Sequence, residues 1–588
     1  MKRWFSKGIL IGVFLFGSAL ILLALLAPWL GLDNDAGWGP GKLLLLASGT
    51  ALALLAVIVL RFGARIQIWW QTTAPAGWFA HLRDRYRNIP TGGFVLPAVL
   101  LCGAVYLWFL SAGSWFSFPE VKNSYNDLAA AFNAGQLALL IEPDPALAAL
   151  ENPYDAKQRA NVPFEWDLSY YQERYYLYWG PVPALVLAPL KALFQDALPG
   201  QTGLLIGSLG VIGLLGWLAV MVRDGFFPRF PRTLVGVFIL AAGINLPFMF
   251  LVSRPQVYET SILFGQMFLL LGTIGLLRAF LADAVRPGWL AVAGLGWGLA
   301  VGSRYSLVGA VGVLTLFALL RCIQHGSRRW VLAAALLAPL VLAAALLMTY
   351  NFFRFGALFE TGFGYQLTVP HNGQVFSPAY LPGNASVYLG VPLNWQSSFP
   401  FLRFEGFDPS QYFFNHPLPA QQFDEFFAGL AGGVPLVGLV LLAVVVPLLK
   451  MPPTGAARAQ WLLAACLSAA AVQWLLVGSY YYAAVRFLMD GLPLTLLAGY
   501  MTVGLLFSMT KSGLLRRLLG LLFFGAAGFT IIAGFLAGFD APPQYFRITR
   551  PEQFEQIASQ ANFWLAEIRL LPERTPGWPG VLMRWIFY

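Results

Sequence analysis

"WDLSYYQERYYLYWGPVPALVLAPL", Trp166 to Leu190, decides how this chain is threaded. It starts as tyrosines mixed with charges, turns at Gly180-Pro181-Val182-Pro183, and ends in an apolar run. If residues 181–194 crossed a membrane, every later connector would change sides. The run is short against the ~20 apolar residues a helical span needs. It also holds Pro181, Pro183 and Pro189 and closes near Lys191. A juxtamembrane helix at the outer surface fits it better than a span.

The surrounding sequence supplies the test. Of the 588 residues, 58% are hydrophobic and 11% charged, far from the roughly one-quarter charged content of a water-soluble domain. Long apolar runs between short polar connectors predict an all-α polytopic membrane protein rather than a barrel, whose segments alternate every second residue. Spans are expected near residues 8–30, 42–60, 94–116, 203–222, 233–252, 260–280, 289–302, 306–320, 330–350, 429–449, 461–478, 491–509 and 518–538. That makes about 13 transmembrane helices, with outer-face juxtamembrane helices besides. The first run is too long for a signal-peptide core and lacks a small-x-small cleavage site, so it reads as a retained span.

Charge fixes the expected orientation. The net charge of +10 sits at the ends of apolar runs, which points to membrane lipids and not to nucleic acid as partner. The basic connectors are Arg61/Arg65/Arg83/Arg85/Arg87, Arg223/Arg229/Arg232, Arg278/Arg286, Arg321/Arg328/Arg329, Lys450/Arg458 and Lys511/Arg516/Arg517. All fall in the cytoplasm only if 203–222 crosses and 181–194 does not. The chain then belongs in the cell (inner, cytoplasmic) membrane, with its N-terminus cytoplasmic and its C-terminus outside. The expected organisation is 1–93, two spans and a basic loop; 94–350, a transmembrane core with an outer loop at 117–202; 351–428, a second outer loop; 429–538, the last spans; and 539–588, an outer tail. In that tail Ile557, Ala561, Trp564, Leu565, Ile568 and Leu571 share one helical face, as in an interfacial helix. Gly294, Gly298 and Gly302 recur every four residues and read as close helix packing.

The first outer loop is acidic and aromatic. Carboxylates among rings are a common way to hold sugars, the rings stacking on the pyranose face and the carboxylates accepting from its hydroxyls. "NSYNDLAAAFNAGQLAL" (123–139) resembles the first outer loop of the GT-C membrane glycosyltransferases, a superfamily that includes protein O-mannosyltransferases and lipid A aminoarabinose transferases. "NPYDAKQR", the opening stretch, "NFFRFG" (351–356) and "VRFLMDGLPL" (485–494) resemble further features of its bacterial members.

The resemblance implies transfer of a sugar from a polyprenyl-phosphate donor to a glycan, lipid or protein acceptor on the outer face. It implies no cofactor beyond the donor lipid, and no metal-ligand spacing is present. Asp127 is then the general base, although the order Tyr125-Asn126-Asp127 departs from the family pattern and leaves Asp167 as the competing candidate. Tyr125, Asp155, Asp167, Tyr170, Tyr171, Tyr175, Tyr258 and Glu259 are candidate substrate contacts. Arg254, Arg304, Arg354 and Arg486 are candidates for the lipid phosphate, since arginine stays charged when partly buried and binds phosphate bidentately. Structural roles compete: a helix N-cap for Asp127, a loop pair with Arg174 for Asp167, snorkelling for the arginines, and an Arg486–Asp490 pair. A secondary transporter or lipid flippase is the alternative class, which internal repeats would favour.

Overall fold

The computed structural model describes Thr50 and residues 89–281, 284–368, 375–404, 422–423, 428–448 and 456–574. Apart from Thr50, the expected spans 8–30 and 42–60 lie outside these residues, as does the basic loop after them. Internal contacts divide the chain into Thr91–Gln556 and a second unit of Met1–Pro90 with Ile557–Tyr588. The candidate site residues all belong to the first unit.

The helices run in chain order as α1 (Gly92–Leu110), α2 (Ser124–Asn133), α3 (Val182–Phe194), α4 (Thr202–Phe226), α5 (Arg232–Gly243) and α6 (Leu246–Val252). Then come α7 (Val257–Leu281), α8 (Pro287–Ser303), α9 (Val308–Ile323), α10 (Arg329–Phe355) and α11 (Leu381–Gly390). The last are α12 (Ala456–Gly478), α13 (Leu488–Met509), α14 (Gly513–Asp540) and α15 (Pro551–Arg574). Among the described residues, eight helices are long and apolar enough to cross a membrane: α1, α4, α7, α9, α10, α12, α13 and α14. The protein is therefore a helical membrane protein.

Two of the expected spans take other forms, and a third is a short helix. Residues 233–252 form α5 and α6, bent by 52° at their junction. Asn245 explains the break: its side chain accepts from the Phe248 N–H at 3.0 Å and donates to the Ala242 carbonyl at 2.7 Å, starting a new helix with Pro247 in its first turn. The Tyr106 hydroxyl donates to the Gly243 carbonyl at 2.9 Å, which satisfies a backbone group the break exposes. Residues 435–448 are a 3-10 helix. The 17-residue α8, about 25 Å long at 1.5 Å per residue, is packed between α7 and α10. Its Gly294 lies against the Leu336 carbonyl and its Gly298 against Ala343, the close packing its glycine spacing suggests.

The opening stretch does not cross the bundle. Its first half forms an antiparallel hairpin of β1 (Ser169–Tyr171) and β2 (Arg174–Tyr176). Gln172 and Glu173, both at positive φ, make its two-residue turn. Its second half is α3, packed on α2. Gly180 meets the C-terminal end of α8 at Gly302, and Gly203, at the start of α4, meets Thr260 in the first turn of α7. Both ends of α3 therefore sit at the same end of the bundle, and 202–226 makes the crossing.

The opposite end gathers the basic connectors. Thr91 donates to Asp224 at 2.6 Å, Arg223 to the Pro228 and Phe230 carbonyls, and Arg458 to the Leu281 carbonyl. Further strand pairs are β3 (Asn394–Trp395) with β4 (Leu402–Arg403), and β5 (Gln422–Phe423) with β6 (Tyr482–Ala483).

The Gly180 contact yields a first expected result. A Cβ at this position would stand 2.0 Å from the Gly302 carbonyl oxygen, and neither backbone has room to yield. Gly180→Ala should lower stability by about 1–3 kcal/mol, read as a lower thermal-unfolding midpoint in lipid nanodiscs. Gly312→Ala in α9, where nothing lies within 4 Å, should be neutral or slightly stabilising.

Candidate active site

A cavity of about 670 Å³ opens where α7, α9, α12 and α13 meet the loops at 166–179, 361–368 and 375–376. Its polar lining includes Asp167, Arg304, Gln366, Arg486 and Asp490. Aromatic rings fill most of the rest, among them Trp166, Tyr178, Trp179, Tyr258 and Tyr480–Tyr482.

One wall is a buried ion pair. Arg304 follows α8 in an extended conformation, and its guanidinium grips Asp490 bidentately, Nε to Oδ1 at 2.6 Å and Nη2 to Oδ2 at 2.8 Å. Ser306 donates to the same carboxylate at 3.3 Å, and Gln266 to the Asp490 backbone carbonyl at 3.1 Å. Trp179 and Phe487 cover the guanidinium at 5.4 and 5.5 Å. Asp490 is thus paired with Arg304, a partner that the four-residue spacing from Arg486 did not suggest. Arg486, in a turn ahead of α13, sits in a cage of Tyr258 (4.6 Å), Phe487 (5.2 Å) and Tyr482 (5.6 Å).

Asp167 faces this cage from the loop before β1. Its backbone is in the left-handed region, φ +59°, which a short polar side chain tolerates better than a bulky one. Burial pushes its carboxyl up to about 6, and Arg486 and then Arg254 pull against that rise. Its charged neighbours are these arginines, and no ion pair joins it to Arg174 among the described residues. Burial first, and then the charge of Asp167, holds the Tyr178 phenol well above its ordinary range.

Behind Tyr258, the fully buried Glu259 lies 3.8 Å from Arg254, whose Nε donates to Gln256 at 3.1 Å. Asp167, Tyr258, Arg304 and Arg486 therefore line one cavity, and Arg254 and Glu259 adjoin it.

The remaining candidates lie elsewhere. Asp127 is in the first turn of α2, outside the cavity lining; burial raises its carboxyl, with Lys122 and Lys191 opposing. Its suggested N-cap role belongs to Asn123, whose side chain accepts from the Tyr125 N–H at 3.0 Å. Tyr125, Tyr170 and Tyr175 are in the apolar core of the outer loop with Leu128, Leu168 and Leu187. The Tyr125 hydroxyl donates to the Gly180 carbonyl at 3.2 Å, and Tyr175 accepts from the Glu165 N–H. Tyr171 packs on Phe355 and Tyr365, and Asp155 caps a turn by accepting from the Lys157 N–H at 2.9 Å. Arg354 is a structural tie. It donates to the Leu177 carbonyl at 2.6 Å and to Asn351 at 2.7 Å, beneath the Tyr350 ring. Asn384, which opens an N-x-Ser sequon, is buried in α11 and donates to the Gly478 and Tyr480 carbonyls.

Trp166, Trp179, Gln366 and Asp490 are cavity residues that the sequence reading did not single out as site residues. Among the described residues, no three of His, Cys, Asp and Glu stand close enough to hold a metal ion. No protein-family model matches this chain, nor does any curated protein or solved structure.

Proposed function

We propose that the protein is a membrane glycosyltransferase of GT-C type, moving a sugar from a polyprenyl-phosphate donor to an acceptor hydroxyl at the extracytoplasmic face. One observation carries the reading: a half-buried carboxylate, Asp167, faces an arginine, Arg486, across an aromatic cavity at the end of the bundle remote from the basic connectors. The positive-inside rule puts that end outside the cytoplasm. The resemblance of 123–139 and 485–494 to GT-C enzymes supplies the donor class.

In this proposal the acceptor oxygen attacks the anomeric carbon of the donor sugar. The new C–O bond forms as the bond from that carbon to the phosphate oxygen breaks. The acceptor proton passes to Asp167, and the polyprenyl phosphate departs with the electron pair of the broken bond. Arg486 stabilises the charge gathering on that leaving group. Arg304 is already held by Asp490, so its part is to shape the wall beside the phosphate. Asp167, on the cavity, suits the role of base better than Asp127, outside it.

The test is transfer of radiolabelled sugar from synthetic polyprenyl-phosphate donors to a panel of envelope-derived acceptors by protein in nanodiscs. Arg486→Lys keeps the charge but loses the planar, caged guanidinium, and should lower kcat by roughly tenfold to a hundredfold. If no donor is used while vesicles holding the protein accumulate or release a solute, the chain is a transporter.

A further inference from the structure

Trp166 stands out from the other rings of the cavity. It is 70% exposed yet lines the mouth, next in sequence to Asp167. The ring also has a support beneath it. Buried Arg159 is pinned by hydrogen bonds to the Pro153 carbonyl, at 2.6 Å, and to the Leu367 carbonyl. Phe164 lies over that guanidinium at 4.9 Å, and Trp166 stacks on Phe164 with centroids 6.0 Å apart and planes 23° from parallel. The ladder Arg159–Phe164–Trp166 therefore presents a stacked indole to solvent at the cavity rim, one residue from a carboxylate.

We propose that Trp166 is the platform of an acceptor subsite, and that the acceptor is a saccharide. This rests on the glycosyltransferase reading for the word acceptor, but the binding claim stands apart from it. A flat, pre-ordered aromatic face favours the C–H face of a pyranose, because the ring's negative quadrupole attracts the polarised C–H groups and little side-chain entropy is lost. The sugar's hydroxyls, directed inward, meet Asp167. Gln366, Thr361 and Thr368 also line this cavity and offer both donors and acceptors. A polypeptide acceptor would gain less from this rim, since an extended peptide presents no comparable flat apolar face.

The experiment titrates intact protein in nanodiscs with soluble β-linked and α-linked gluco-, galacto- and N-acetylglucosamine oligosaccharides up to 10 mM, without donor, following indole fluorescence and saturation-transfer NMR. At least one saccharide should bind. Trp166→Ala should weaken it by roughly tenfold, Trp166→Phe should recover much of that, and the unfolding midpoint should stay unchanged because the ring is exposed. If transfer is also observed, Trp166→Ala should raise the acceptor KM and leave the donor KM alone. Binding without any transfer would retain this subsite while removing the enzymatic reading. The inference is overturned if no saccharide binds by 10 mM, if binding is indifferent to Trp166→Ala, or if brominated lipids quench Trp166, which would make it a membrane anchor.

Discussion

Asp167→Asn should reduce sugar transfer by about 10²–10⁴-fold, the usual contribution of a positioned general base, with little change in donor affinity. The pH dependence follows from burial. With its carboxyl raised to about 6, Asp167 is protonated and unable to accept a proton below that pH. The rate, kcat/KM, should rise about tenfold per unit up to pH 6 and level off above it. Asp167→Asn should flatten that limb as well as lower it. Stability should run in the opposite direction. A carboxyl whose folded value exceeds the unfolded ~3.9 stabilises the fold below that unfolded value, and the contribution is lost as pH rises through about 6. At pH 7 the Asn variant should therefore be at least as stable as the parent, so lost activity cannot be lost folding. Asp127→Asn is the companion measurement. Its loss should stay below tenfold, and a profile in which Asp127→Asn removes transfer while Asp167→Asn retains it would reassign the base.

Charge bookkeeping was enough to read α3 as a helix that stays on one side, because sidedness is a property of whole connectors and needs no packing detail. Long apolar helices were legible for the same reason. The break at Asn245 was not, since a polar cap buried by neighbours looks like part of a continuous apolar run. Site residues divide along a similar line. Arg304, Arg486 and Tyr258 stood out because an ionisable or aromatic group at a span's end is conspicuous in any sequence, and Asp167 because its loop mixes carboxylates with rings. The tyrosines of the outer loop were ambiguous: Tyr125, Tyr170 and Tyr175 have the composition of a sugar site, yet they fill the core that supports one. Only the turn at Gln172-Glu173 and the return of Leu367 to that core decide which rings face inward. The Arg304–Asp490 pair spans 186 residues, and no local spacing rule reaches that far. The i,i+4 rule offers only Arg486, which lies in the turn before α13.

That long-range pair should dominate the stability of the outer half of the bundle. Both side chains are almost fully buried, and Asp490 is the carboxylate that the Arg304 guanidinium grips directly, with Trp179 and Phe487 over it. Removing one partner leaves an uncompensated charge in a low-dielectric wall. Asp490→Asn or Arg304→Gln should each cost about 3–5 kcal/mol, measured as a fall in the unfolding midpoint of protein in nanodiscs. The double variant should recover part of the loss, because the two changes remove one interaction and are not additive. Arg486→Gln should cost less than either, as the bidentate hydrogen bonds to Asp490 come from Arg304; an equal cost would mean that Asp490 depends on both arginines. The two single variants should then diverge in their response to anions. Asp490→Asn releases the Arg304 guanidinium toward the cavity, so millimolar inorganic phosphate should raise its midpoint more than that of the parent protein, by preferential binding to the folded state. Arg304→Gln creates a surplus carboxylate in the same wall and should gain nothing from phosphate. A response to phosphate that is equal in all three proteins would show that Arg304 stays out of reach of anions even when its partner is gone.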